Sequence, residues 1–163
     1  MKSCSAVTIL SLIFCISFRL NINAQQTKQK KEQKNEAEIR KKVEGRNFTI
    51  IMQMVLPLGM ESRELYGNYG LRIYPDTIES QLPYFGTAYT AGYGNEEGSL
   101  VFKTSEFEYK TVPGKKQGWT ITILPKNAGD TRQMILTISS IGYANLQVTC
   151  LNRQAISFNG YLQ

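Results

Sequence analysis

The feature that most constrains this chain is a sustained alternation of apolar and polar residues, which begins at Asn47 and runs through successive turns to the C-terminus. A period of two puts the apolar side chains of each segment on one face of an extended strand. Phe48, Ile50, Met52, Met54 and Leu56 share a face of the first segment, which Pro57 ends. Leu71 and Ile73 point in while Arg72 and Tyr74 point out, and Pro75-Asp76 turns the chain into a strand over Thr77 to Leu82. Leu100 to Lys103 and Phe107 to Val112 follow, and Pro113 to Gly118 makes a turn. Trp119, Ile121 and Ile123 then alternate with threonines, as do Met134, Leu136 and Ile138 with polar neighbours. Segments over Gly142 to Cys150 and Ile156 to Leu162 close the series.

The last five segments are joined by short turns, the pattern of an antiparallel meander. The expected fold is therefore all-β: an antiparallel sandwich or partly closed barrel of about nine strands, preceded by a short N-terminal helix. Residues 47–163 are enough for one such domain without covalent staples.

The start of the chain has a different composition. Met1-Lys2-Ser3-Cys4, an apolar run from Ala6 to Phe18 and the Ile22-Asn23-Ala24 site are the parts of a secretory signal peptide over residues 1–24, cleaved after Ala24. Arg19 ends the run too early for a spanning helix, so no transmembrane segment is expected in the mature chain. Lipidation at Cys15 is not expected, because bulky Phe14 stands where a small residue is needed. Cys4 and Cys15 leave with the leader. Cys150 is then alone and shares strand parity with Ala144, Leu146 and Val148, which makes it a small buried hydrophobe.

Residues 25–46 hold eight basic and four acidic side chains, with Glu36–Arg40 and Glu38–Lys42 in the spacing that supports a helix. We read them as a basic tether ending in a short helix whose Ile39 and Val43 rest on the domain. The leader and this tether account for the whole formal charge of +6, since residues 47–163 carry nine basic and nine acidic side chains. Excess charge that lies off the folded surface is no footprint for nucleic acid, and none is expected as a partner.

Chemistry is bounded by the absence of histidine. No histidine base, catalytic dyad or common zinc or copper site can be built. The best carboxylates are Glu106 with Glu108, two apart on a strand, and Glu96 with Glu97 in a loop. Glycoside hydrolysis needs a facing pair with one raised pKa, and a solvated outer face explains Glu106 and Glu108 better. No catalytic residue, metal or cofactor is assigned.

The most unusual stretch runs from Leu82 to Gly98, where Tyr84, Phe85, Tyr89 and Tyr93 lie among four glycines. Aromatic rings beside glycines give broad, rigid contact area to a partner. They could equally plug one end of the domain.

Two runs carry a family likeness: Asp76 to Tyr89, with Leu82-Pro83-Tyr84-Phe85-Gly86 at its centre and Gly98 to Phe102 behind it, and Arg153 to Gly160. The chain resembles the uncharacterised secreted proteins grouped as domain of unknown function 4251, found mainly in Bacteroidetes. The resemblance implies an exported protein of the periplasm or cell envelope and brings no activity. Thr87 departs from it, standing where many relatives carry Arg. In such a phylum Asp76-Thr77-Ile78 also resembles an O-glycosylation site at Thr77, although a plain turn explains it too.

The resulting expectation is a non-enzymatic binding module of the periplasm or envelope, with Tyr84, Phe85, Tyr89 and Tyr93 taking a peptide, a glycan or a small apolar ligand. The alternative is a structural or assembly protein that pairs with an envelope partner through a sheet edge. A hydrolase ranks third.

Overall fold

A computed structural model describes residues 35–89, 99–114 and 118–163. The leader with Ala24 and Cys15, most of the tether, Tyr93, and Glu96 with Glu97 lie outside the described residues. The compact unit runs from Glu38 to Gln163.

The strands are β1 (Phe48–Pro57), β2 (Arg63–Glu64), β3 (Gly70–Ile73), β4 (Ile78–Pro83), β5 (Ser99–Thr104), β6 (Phe107–Pro113), β7 (Trp119–Pro125), β8 (Thr131–Ile138), β9 (Tyr143–Cys150) and β10 (Ile156–Leu162). All ten belong to one sheet; nine follow the order β5-β4-β3-β1-β10-β9-β8-β7-β6, every pair antiparallel, and β2 lies off this path, paired with β1. The expected meander is present in β6 to β10. Pairing of the first strand with the last then curls the sheet into a nearly closed barrel.

The closure lies at β5 and β6. Alternating directions around the sheet make these two strands run the same way, and only Ser105 and Glu106 separate them. Residues 99–113 are thus one bent strand that leaves β4 and goes on to β7. Thr104, buried at the bend, donates its hydroxyl to the Lys126 carbonyl at 2.8 Å and accepts the Glu106 N–H at 3.1 Å. One side chain therefore satisfies backbone groups that the change of partner leaves outside the ladders.

Inside the barrel Phe158, Ile50, Met52, Leu71, Ile73, Ile78, Leu82, Leu100, Ile121, Ile123, Met134 and Leu136 are fully buried. The inward positions expected for β3, β7, β8, β9 and β10 are the ones observed, Cys150 among them. β1 differs in its second half. Met52 faces Gly160 but Met54 faces Asn159, so Gln53 is an extra residue and the strand bulges. A bulge reverses strand parity, and the expectation that Met54 and Leu56 point inward is corrected: both are half-buried, whereas Val55 is fully buried. β2, which has no apolar alternation, covers β1 beyond the bulge by pairing with Met54 and Val55.

A helix, α1, spans residues 35–44. Ile39 and Val43, one turn apart, are buried in the core cluster, as the spacing predicts. The helix stops in a Schellman motif: Asn47 N–H donates to the Lys42 carbonyl and Arg46 N–H to that of Val43, with Arg46 at φ 48°. Glycine is the usual residue at such a position. Here the Arg46 guanidinium lies 4.6 Å from the centroid of the Tyr109 ring, a cation–π contact that offsets the backbone cost.

Candidate functional site

The two runs that carry the family likeness are far apart in sequence and meet at one rim of the barrel. Beyond Pro83 the chain leaves β4 and is clamped to the connection between β9 and β10. Tyr89 N–H donates to the Asn152 carbonyl at 2.8 Å, Gln154 N–H to that of Thr87 at 3.0 Å, and Ala88 forms a bridge with Arg153. Tyr84 is the centre of the clamp. Its hydroxyl lies 3.0 Å from the carbonyls of both Thr87 and Gln154. With one proton, it donates to one of these at a time.

Arg153 packs across the Tyr84 ring at 4.6 Å from its centroid and donates through Nε to Asp130 Oδ2 at 2.8 Å. Both side chains of this ion pair are mostly buried. Asp130 Oδ1 accepts the Asn152 N–H at 2.9 Å, and its carbonyl accepts the Leu151 N–H at 3.0 Å. The turn between β7 and β8 is thereby tied into the same rim. Gly86 is required by geometry, because a Cβ there would collide with the Tyr84 hydroxyl, which its two carbonyl partners hold in place.

Burial is the main cause that raises the Tyr84 phenol above its ordinary pKa; Cys150 adds to the effect and Arg153 opposes it. Burial also raises the Cys150 thiol, opposed by Arg153 and aided by Asp130. A thiol held neutral in the fold ionises more readily once unfolded, so this group's contribution to stability is complete below the ordinary thiol pKa and is lost as pH rises from there through the raised folded value. Cys150 is accordingly expected to react with a disulfide reagent at least about tenfold more slowly in the native protein than in denaturant at pH 8. Equal rates would place the thiol on the surface.

The sequence candidates thus separate into two groups. Tyr84 is a buried structural clamp. Phe85 and Tyr89 are exposed, Tyr89 by 67 %. The Arg63 guanidinium lies 5.5 Å from the Phe85 ring centroid, which brings the β1–β3 connection to the same rim. That connection also exposes Leu58, Met60 and Tyr66, and the β9–β10 turn exposes Leu151. Sequence reading missed Arg63, Asp130 and Arg153, since a salt bridge between distant turns leaves no local pattern. Tyr93 lies outside the described residues. Thr77 is half-buried in its turn, its hydroxyl 3.2 Å from Asp76 Oδ1. Glu106 and Glu108 are exposed. Among the described residues no group of three His, Cys, Asp or Glu could hold a metal, and no helix is long and apolar enough to cross a membrane.

A second concave surface lies at the other end of β9. Gln53 from the bulge, Ile141, Gly142, Tyr143, Tyr161 and Leu162 line an open groove of about 530 Å³.

Comparison with known proteins finds a match between residues 30–162 and the family model described as "Domain of unknown function (DUF4251)". The chain is also similar to a crystal structure of a DUF4251 family protein from Bacteroides eggerthii DSM 20697, with a TM-score of 0.58 and 14% identity over 78% of this chain and 86% of that one. At that identity the likeness is one of fold. No curated protein matches the chain.

Proposed function

The chain belongs to the DUF4251 family, and on that premise we propose that it is a non-enzymatic binding module, exported to the periplasm or cell envelope and cleaved after Ala24, whose clamped rim takes an apolar peptide segment of a partner. One observation carries this reading. Exposed Phe85 and Tyr89 stand on a backbone fixed by the Tyr84 hydroxyl and the Arg153–Asp130 pair, so contact area is offered with little ordering cost on binding. Arg63 beside Phe85 adds a donor that can fix the orientation of a bound carbonyl.

A second reading has its own support. Among the described residues β5 pairs only with β4 and β6 only with β7, so the bent strand keeps an open edge there to which a strand from an assembly partner could add.

The double variant Phe85→Ser/Tyr89→Ser distinguishes the two. Native mass spectrometry of the mature protein from periplasm is expected to detect a non-covalent adduct that the double variant lacks, with its melting temperature within about 2 °C of the parent. An adduct that survives in the double variant and is lost with Thr111→Pro supports the edge instead. No adduct on either protein refutes the rim.

A further inference from the structure

The outer face of β7 to β10 differs in chemistry from that of β3 to β6, and β1 beside β10 is likewise uncharged. Those four strands contain one charged residue, Arg132, at the bulge where β8 passes Gln133. β3 to β6, by contrast, carry Arg72, Glu79, Lys103, Glu108 and Lys110. The register aligns the uncharged side chains into rows across the sheet. Thr120, Thr137, Asn145 and Asn159 are successive partners across all four strands, and Thr122, Ile135, Gln147 and Ser157 form the next row. Each row presents groups at the strand spacing of about 4.8 Å.

One row nearer the groove, Tyr143 faces Tyr161 directly. Both rings are exposed. Directly opposed residues have Cβ atoms about 5 Å apart, so the two exposed tyrosines are neighbours on this face. The groove beside them is of the size that holds a small ligand, and Gln53 lies in its wall because the bulge turns it out of the β1 ladder. Asn145 Nδ2 donates to Asn159 Oδ1 at 2.8 Å. That bond fixes both amides, with the Asn159 amino group left as donor and the Asn145 carbonyl as acceptor beside the rings.

From this arrangement we infer a second binding site, separate from the rim and not dependent on it: a platform on β9 and β10 for a neutral oligosaccharide, centred on Tyr143 and Tyr161 and flanked by Asn145, Asn159 and Gln53. A pyranose ring offers an apolar C–H face and a periphery of uncharged hydroxyls that both donate and accept. Two neighbouring tyrosines match the first and fixed amides the second. The lack of charge determines the class of occupant. An anionic polysaccharide, a phosphate group or a nucleic acid would require Lys or Arg along these rows; within β7 to β10 only Arg132, beyond them, is present, and Lys42 at the end of β10 donates its ammonium to the Gln163 carbonyl at 2.9 Å. A purely apolar partner would strand the Asn, Gln and Thr groups without hydrogen bonds.

The mature protein should be titrated by saturation-transfer NMR and calorimetry with cellohexaose, xylohexaose, mannohexaose and maltohexaose, with hexagalacturonate as the anionic control. At least one neutral hexasaccharide is expected to bind with Kd of about 1 mM or tighter. Tyr143→Ala and Tyr161→Ala should each weaken it about tenfold, and Asn159→Ala about threefold. Both tyrosines are exposed, so these variants should melt with the parent, and Tyr143→Phe should keep most of the binding. Phe85→Ser/Tyr89→Ser should leave it unchanged, which separates this site from the rim. The inference is overturned if none of the four neutral sugars binds, if hexagalacturonate binds better, or if affinity survives loss of both tyrosine rings.

Discussion

Gly160→Ala is expected to cost about 3 kcal/mol or more, at the upper end of what overpacking does in a closed core. The cause lies in the β1 bulge. At Gly160 a methyl group would be driven into the Ile51 carbonyl and the Cα of Met52, both backbone atoms of the facing strand. Neither can swing aside as a side chain would. Relief requires β1 and β10 to separate at the pairing that joins the first strand of the barrel to the last. With total stabilities of domains this size near 5–15 kcal/mol, the loss should lower the melting temperature by about 10 °C. Gly59→Ala is the control. Gly59 has φ +74° and open space where a methyl group would stand, so it reports backbone strain without a clash and should cost about 1 kcal/mol. Equal melting of the two variants would mean that the strands are not held so close at Gly160.

The same bulge marks where the fold ceases to be legible in sequence. Strand existence and inward parity follow from alternation in β3, β7, β8, β9 and β10, because each is straight and buries one face. In β1 the residues after Gln53, Met54-Val55-Leu56, are all apolar, so nothing local indicates the slip that puts Val55 inside and leaves Met54 and Leu56 half-buried. Only the facing glycine, placed by tertiary pairing, makes room for it. Closure is hidden for a related reason. Ser105 and Glu106 look like a turn between two strands, whereas they bend a single strand whose partner changes from β4 to β7. Such a bend is set by the circumference of the barrel.

The candidate site was legible in part. Tyr84, Phe85 and Tyr89 stand out by composition, yet composition cannot tell the buried clamp from the exposed rings. That distinction rests on two carbonyls, of which one lies 70 positions along the chain. The tyrosine and asparagine rows of β9 and β10 are the outward half of the same alternation whose inward half marks the core. Their alignment needed the register.

Asp130→Ala is the second large effect, expected at about 2–3 kcal/mol. Removal of the carboxylate leaves the Arg153 guanidinium mostly buried without its ion-pair partner and the Asn152 N–H without its acceptor. The remaining exposure of the pair, 17 % and 16 % for the two side chains, admits some water and keeps the cost below that of a fully enclosed pair. Asp130→Asn keeps an acceptor for Asn152 and a weaker bond to Arg153, so it should lose about 1 kcal/mol, and the difference between the variants reports the charge. The consequence should be local before it is global. Once Arg153 is released it no longer braces the Tyr84 ring, and residues 83–89 should become cleavable by protease below the melting transition. If the rim binds through a preorganised surface, Asp130→Ala should also weaken partner capture although Phe85 and Tyr89 are intact. Unchanged proteolysis in both variants would show that backbone bonds alone hold the rim and that the ion pair contributes nothing to its preorganisation.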